Sequence, residues 1–268
     1  MVALAVNDTP CSRALLRDGH LRADYLETSG PHVEDAVAAL PGVSFLLHNS
    51  VWDWSLGHPD ALAQRDVLAL TRRRLQLTRA PWLSIHIGFS AAEVRFDDGM
   101  RPASRPVGSE ELLPVMTRNV RDFAAHLDVP LLLENLDHNP TGAYDHVCDP
   151  NFIRTLVEAS NAYLLLDLAH AQVSAARLGW DLAAYLAALP LGRVRQVHVS
   201  GPRRRDGVLA DAHEPLREED LALLRDVLRA TTPWAVTLEY GRDDAALLAQ
   251  VATLRELLAT SDDTRTDA

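Results

Sequence analysis

The sequence predicts a single-domain α/β fold, a (β/α)8 TIM barrel, on three observations. Eight short runs rich in Val, Leu and Ile alternate with stretches of helical periodicity, the order that builds a parallel sheet covered on both faces. The length of 268 residues is ordinary for one eight-stranded barrel. Six of the runs end in a residue able to bind a metal ion: SFLLH at His48, WLSIH at His86, PLLLE at Glu134, YLLLD at Asp167, VRQVH at His198 and VTLE at Glu239. Barrels of this class build their active sites at the C-terminal ends of the strands, so these endings mark one catalytic face.

In chain order, strands are expected at 3–6, 24–27, 44–48, 82–87, 131–134, 163–168, 194–199 and 235–240, each a short apolar run of the kind buried on both faces. Helical periodicity is clearest over 60–78, 110–127, 150–159, 181–188, 216–230 and 243–258, and shorter over 13–17 and 33–40. No linker, low-complexity segment or composition break divides the chain, so residues 1–260 are read as one barrel domain. The closing SDDTRTDA is small and polar, which makes 261–268 a flexible C-terminal tail. Two loops that follow strands are long, 88–109 and 200–215, and long loops on the catalytic face are where substrates are held.

Composition bounds the function. With 47% apolar and 24% charged residues the chain reads as an ordinary globular protein. A formal net charge of -11 argues against nucleic-acid and anionic-membrane partners. Only Cys11 and Cys148 occur, far apart, which excludes a cysteine-held zinc or iron–sulfur site and a disulfide framework. The N-terminus lacks a basic stretch followed by an apolar core, and no apolar run reaches membrane-spanning length. A cytoplasmic location is expected.

Further ligand candidates extend the strand endings. His170 stands three residues after Asp167, so both face one point if a helix starts there. Asp211 and His213 have a period of two and share a face if that segment is extended. Together these give nine candidates: His48, His86, Glu134, Asp167, His170, His198, Asp211, His213 and Glu239. That number exceeds the needs of one ion and fits two or three with bridging carboxylates. A set of imidazoles and carboxylates without thiolate suits iron, manganese or zinc.

HIGFS at 86–90, LLLEN at 131–135, LLLDLAHAQVSA at 164–175, QVHVSG at 196–201, DAHEPL at 211–216 and TLEY at 237–240 occur in that order, preceded by ADYLETSG at 23–30 and LLHNS at 46–50. This ordered set resembles the DUF692 family, the multinuclear non-haem iron-dependent oxidative enzymes. The resemblance covers nearly the whole chain. It departs from the family pattern at Ile85 and Pro202, where Glu and His are frequent. It implies a barrel holding two or three iron ions in mixed Fe(II)/Fe(III) states, with O2 as co-substrate. It also implies oxidative modification of a residue, usually Cys, in a ribosomally synthesised precursor peptide or a related small molecule. A separate peptide-recognition protein is a further partner it allows. All nine candidates are implied as iron ligands, and Asn135, of the Glu-Asn pair, as a ligand or a donor behind the ligands.

Candidate substrate contacts are Glu27 at the end of the second strand, Trp52 after His48, and the cationic cluster Arg203, Arg204 and Arg205 in the loop before Asp211. No general base stands out. Two rival activities use the same barrel and similar ligands: a divalent-metal sugar isomerase or epimerase, and a trinuclear zinc phosphodiesterase. The acidic charge argues against DNA as a substrate.

Overall fold

The structure, a computed structural model, describes residues 1–49, 51, 54–64 and 66–266, with side chains described to residue 260; Trp52 lies outside the described residues. In chain order the strands are β1 (Ala3–Asn7), β2 (Tyr25–Ser29), β3 (Phe45–His48), β4 (Leu83–His86), the short pair β5 (Val94–Arg95) and β6 (Arg101–Pro102), β7 (Leu131–Glu134), β8 (Tyr163–Asp167), β9 (Val194–Val199), β10 (Gly201–Arg205), β11 (Val208–Glu214) and β12 (Ala235–Leu238). Eight of them close a barrel in the order β1-β2-β3-β4-β7-β8-β9-β12, with β12 pairing back onto β1 and every neighbour parallel. Helices α1 (Pro10–Arg17), α2 (Val33–Ala39), α3 (Val67–Thr78), α4 (Ser109–Ala125), α5 (Pro150–Ser160), α6 (Leu168–Leu178), α7 (Leu182–Ala188), α8 (Glu218–Ala230) and α9 (Asp244–Thr266) form the outer ring. The protein is thus the single-domain TIM barrel that the strand–helix alternation predicts. The last helix runs beyond residue 260, where the sequence places the end of the barrel domain.

Two apolar layers hold the barrel. The larger lies between strands and helices, and includes Val6, Leu26, Leu47, Leu133, Leu166, Val197 and Leu238. The smaller fills the interior with Ala5, Leu46, Trp82, Leu132, Leu165 and Ala235. Strand side chains alternate in direction, so the inward set of each strand is every second residue. Each of the buried leucines 46, 132 and 165 stabilises the fold by about 1.5–3 kcal/mol. The barrel floor is aromatic: Trp82 lies 5.9 Å from Tyr25 and 5.2 Å from Trp234, Trp234 lies 5.4 Å from Tyr163, and the Arg195 guanidinium covers the Tyr163 ring at 4.8 Å.

Parallel register sets the opposite end. His86 is level with Glu134, Asp167 with His198, and Asn7 with Glu27. Both long loops contain hairpins. In the first, β5 pairs with β6. In the second, where the sequence suggests only a loop, β10 and β11 pair antiparallel through a two-residue turn at Asp206 and Gly207. Both turn residues have positive φ, 52° and 80°, as hairpins of this length favour. Gly201 closes the base of this hairpin. A Cβ there would lie 2.5 Å from the Pro215 carbonyl oxygen and closer still to that of Glu214, so backbone would have to move. Gly201→Ala is therefore expected to lower the unfolding free energy by about 1–3 kcal/mol, measured by denaturant titration; a parent-like midpoint contradicts this account of the hairpin base.

Candidate metal centre

At the C-terminal mouth of the barrel the nine candidate residues gather, with four of the histidines facing Glu134. This carboxylate is 1% exposed, at the end of β7. Its Oε2 lies 3.1 Å from His48 Nε2 and 3.2 Å from His86 Nε2; its Oε1 lies 3.3 Å from His198 Nδ1 and 3.6 Å from His170 Nδ1. His198 Nδ1 also faces Glu239 Oε1 at 3.4 Å and Asp167 Oδ2 at 4.0 Å. The second lobe comes from the hairpin. Asp211 Oδ2 is 2.7 Å from His213 Nε2 and 3.7 Å from His170 Nε2, and Glu239 Oε2 lies 3.6 Å from His213 Nε2.

Local structure places each group. The apolar strands β3, β4, β7, β8 and β9 deliver His48, His86, Glu134, Asp167 and His198 at or near their ends, and Glu239 follows β12 with its N–H bonded to Val199 O at 2.9 Å. Asp167 caps α6: its Oδ1 accepts from the His170 backbone N–H at 2.6 Å, which fixes the turn that brings His170 back over the cluster. The His170 ring donates from Nδ1 to the Asn135 carbonyl at 2.8 Å, leaving Nε2 for the interior. The Asn135 side chain itself bridges the Asp167 backbone, accepting from its N–H and donating to its C=O, both at 2.9 Å. His48 Nδ1 pairs with Ser84 Oγ at 2.9 Å, and its Nε2 faces Asn49 Nδ2 at 2.6 Å. His213 sits at φ 47°, a left-handed conformation that costs a non-glycine residue about 1–3 kcal/mol and that the hairpin imposes next to the site.

Electrostatics show a centre short of positive charge. Burial alone would raise the Glu134 carboxyl, yet His48, His86 and His198 hold it well below the usual carboxylate range. Burial would lower His198, but Glu27, Glu239 and Glu134 push it well above the ordinary imidazole value. His170 is raised in the same way, against burial, chiefly by Asp167 and Asp211. Burial, together with Glu239, Asp211 and Glu134, drives Asp167 up to about 8. His86 goes the other way, lowered mainly by burial. The rises of Asp167, His170 and His198 reflect anionic oxygens packed together away from water.

The residues fit metal ions by one further observation. Glu134 Oε2, Asp167 Oδ2 and His198 Nδ1 are buried without a hydrogen-bond partner, although such atoms normally have one. All three point into the cluster. Two triads bring a donor atom each within 4.8 Å of one another: His48, His86 and Glu134, and Glu134, Asp167 and His198. They share Glu134, as a bridging carboxylate would.

Beside the cluster lies a cavity of about 470 Å³, whose far wall is Val51, Trp54, Phe89, Phe96, Met100 and Tyr144. A second opening, lined by Arg205, Arg242 and Tyr240, reaches Asp211 and His213. Of the three clustered arginines, Arg203 donates to the carbonyls of Pro202 and Pro215 and Arg204 to that of Gly207, while Arg205 lines this opening. Glu27 lies beneath His198, with its oxygens accepting from Gln196, Thr237 and His198. Sequence reasoning misses Ser84, Gln196 and Thr237. Each stands two residues before a candidate ligand on the same strand, so the period-two rule that places the ligands inward also places these inward.

Comparison with known proteins shows the fold and the family. Among solved structures, a D-tagatose 3-epimerase-like protein superposes with TM-score 0.66 at 13% identity, covering 98% of this chain and 99% of that one. Endonuclease IV from Thermus thermophilus gives 0.62 at 17% identity, covering 96% and 99%. At these identities the likeness is one of fold. Curated relatives are nearer in sequence: a UPF0276 protein of Caulobacter vibrioides is 30% identical over 237 residues, 86% of this chain and 78% of the relative. A UPF0276 protein of Bordetella parapertussis is 34% identical over 215 residues, 76% and 73% of the two chains. The profile described as "RiPP precursor modification enzyme MbnB/TglH/ChrH" matches residues 23–260. The chain belongs to the MbnB/TglH/ChrH family, the DUF692 family that its strand-end motifs resemble.

Proposed function

We propose that this protein is an iron-dependent, O2-using oxidoreductase that modifies a residue, Cys in the first instance, of a ribosomally synthesised precursor peptide. The observation that carries the reading is the convergence of three buried atoms without a hydrogen-bond partner, Glu134 Oε2, Asp167 Oδ2 and His198 Nδ1, in a member of a peptide-modifying family. His48, His86 and Glu134 would hold one iron, and Glu134, Asp167 and His198 a second. His170, Asp211, His213 and Glu239 form the side of the cluster nearest the hairpin and would complete the coordination or hold a third. Bound iron supplies one-electron chemistry and O2 binding that no side chain here provides.

The chain's own part is positional. The apolar wall of Trp54, Phe89, Phe96 and Tyr144 keeps water from the reacting group and gives a neighbouring apolar side chain of the substrate a surface to pack on. At the second opening, Arg205 would hold an anionic group of the substrate by charge-assisted hydrogen bonds. No helix among the described residues is long and apolar enough to cross a membrane. A sugar epimerase or zinc phosphodiesterase would share the barrel and lack iron bands, so whole-protein metal analysis with an optical spectrum separates the readings.

Three outcomes follow. Glu134→Ala should remove iron from both triads and lower turnover by at least about 100-fold, more than loss of a supporting group costs, with the circular dichroism of the parent. Full activity in that variant contradicts the assignment. Arg205→Ser should raise KM for an acidic peptide substrate by about five- to tenfold, as loss of a charged hydrogen bond of roughly 1–1.4 kcal/mol implies, with iron content unchanged; an unchanged KM leaves that arginine as a solvated side chain.

The third outcome concerns pH. In the metal-free protein burial raises Asp167 to about 8. Burial would lower His213, but its hydrogen bond to Asp211 outweighs this and raises it to about 9. Both groups hold their proton more tightly folded than unfolded, where they titrate near about 3.9 and 6.5. The stability they contribute is complete below those unfolded values, and lost as pH rises through the folded ones. The melting midpoint of metal-stripped protein should therefore fall between about pH 6.5 and 9. Iron-loaded protein should show no such fall, because cations displace these protons and bind more tightly as pH rises. A metal-stripped midpoint that climbs across this window contradicts the electrostatic account.

A further inference from the structure

Beneath the cluster runs a chain of hydrogen bonds whose direction is set from one end. Trp82, 6% exposed at the barrel floor, places its indole N–H 2.7 Å from Gln196 Oε1. An indole nitrogen only donates, so this contact fixes which end of the Gln196 amide is oxygen. The amide nitrogen must then face the opposite way. There it donates to Glu27 Oε2 at 2.8 Å and to Thr237 Oγ1 at 2.9 Å, committing both amide hydrogens. Thr237, having accepted from Gln196, sends its own hydrogen to Glu27 Oε2 at 2.5 Å.

Glu27 is therefore a carboxylate that receives donors on every side, and the last of them is His198. The imidazole Nε2 lies 3.1 and 3.2 Å from the two Glu27 oxygens. Gln196 Nε2 also lies 3.2 Å from it, but has no hydrogen left to offer. Nε2 of His198 consequently carries the hydrogen. In the neutral ring that a metal would bind, the nitrogen left with a lone pair is Nδ1, which is buried without a hydrogen-bond partner and aimed at Glu134, Asp167 and Glu239.

We propose that Trp82, through Gln196 and Glu27, fixes which nitrogen His198 presents to the metal centre. The proposal rests on the reading of the cluster as a metal site and adds three positioning residues to it, all of them outside the nine candidate ligands. Ligand imidazoles are commonly oriented by a carboxylate on their other nitrogen. Here the carboxylate is itself polarised by a donor-only side chain at the far end of the barrel interior. Gln196 is the switch point: released from Trp82, its amide can turn over, present oxygen to Glu27, and weaken the acceptor that holds the His198 hydrogen.

The test uses the full-length chain loaded with zinc, a diamagnetic probe, and nitrogen-15 NMR of the histidine rings beside a chelator-competition measurement of zinc affinity. The parent is expected to bind zinc through His198 Nδ1, with an exchange-protected hydrogen on Nε2. Glu27→Gln should raise the zinc Kd by about 10- to 100-fold. Trp82→Phe and Gln196→Met should each raise it about two- to tenfold, as loss of one hydrogen bond implies, and expose the Nε2 hydrogen to exchange. A role in packing alone would leave that hydrogen protected. Gln196→Met leaves Trp82 in place, so it decides the matter if Trp82→Phe does not fold. Coordination through Nε2, or parent-like affinity and protection in both distal variants, overturns the proposal while leaving the metal site intact. Failure of the parent to take up zinc or iron overturns both.

Discussion

Five carboxylates, Glu27, Glu134, Asp167, Asp211 and Glu239, share the mouth of one closed barrel, and the rest of the structure answers to that concentration of charge. The ion pairs of Glu134, Asp167 and Glu239 are with imidazoles. Imidazoles neutralise such a cluster only by gaining protons, which is why His170 and His198 are pushed up against the effect of their own burial. An isolated buried carboxylate is costly unless it is paired or bound to metal. Bound cations would relieve this stress at once, supplying the charge that protons supply less well and giving the orphaned atoms a common partner.

The barrel makes the concentration possible because its two ends have opposite tasks. At the floor, Trp82, Trp234, Tyr25 and Tyr163 interlock and the Arg195 guanidinium covers Tyr163 and Trp234. Above them, Leu46, Leu132 and Leu165 fill the interior. These layers pin the strand register, and register decides that His86 stands level with Glu134 and Asp167 with His198. A slip of one residue would turn each ligand outward into the helix-facing layer. His170 stands on α6, just past the end of β8. Asp211 and His213 come from outside the barrel frame. They depend on the hairpin of β10 and β11, whose base is held by Gly201 and whose end stores strain at His213.

Much of this is legible in the chain itself. A polar residue ending an apolar run is conspicuous, so the strand-end ligands can be read one strand at a time, and the alternation of runs gives the barrel. The period of two at Asp211 and His213 reads as extended chain, which β11 is. The hairpin around it escapes such a reading although Asp206-Gly207 is a strong turn signal, because the run before it, GPRRR, is cationic rather than apolar. Gln196, Thr237 and Ser84 escape for another reason: a polar residue in mid-strand has no mark of its own until the inward face is known. The task of Glu27 needs coordinates, since its partners lie 169 and 210 residues away in sequence.

The most direct test of the central claim is anomalous scattering at the iron edge from crystals of protein purified with its native metal. The concentration of carboxylates at the mouth predicts at least two iron peaks in one chain, with Glu134 between them, one beside His48 and His86 and the other beside Asp167 and His198. A single iron that leaves Asp167 and His198 without a metal, or an active protein with no iron at the mouth of the barrel, would contradict it.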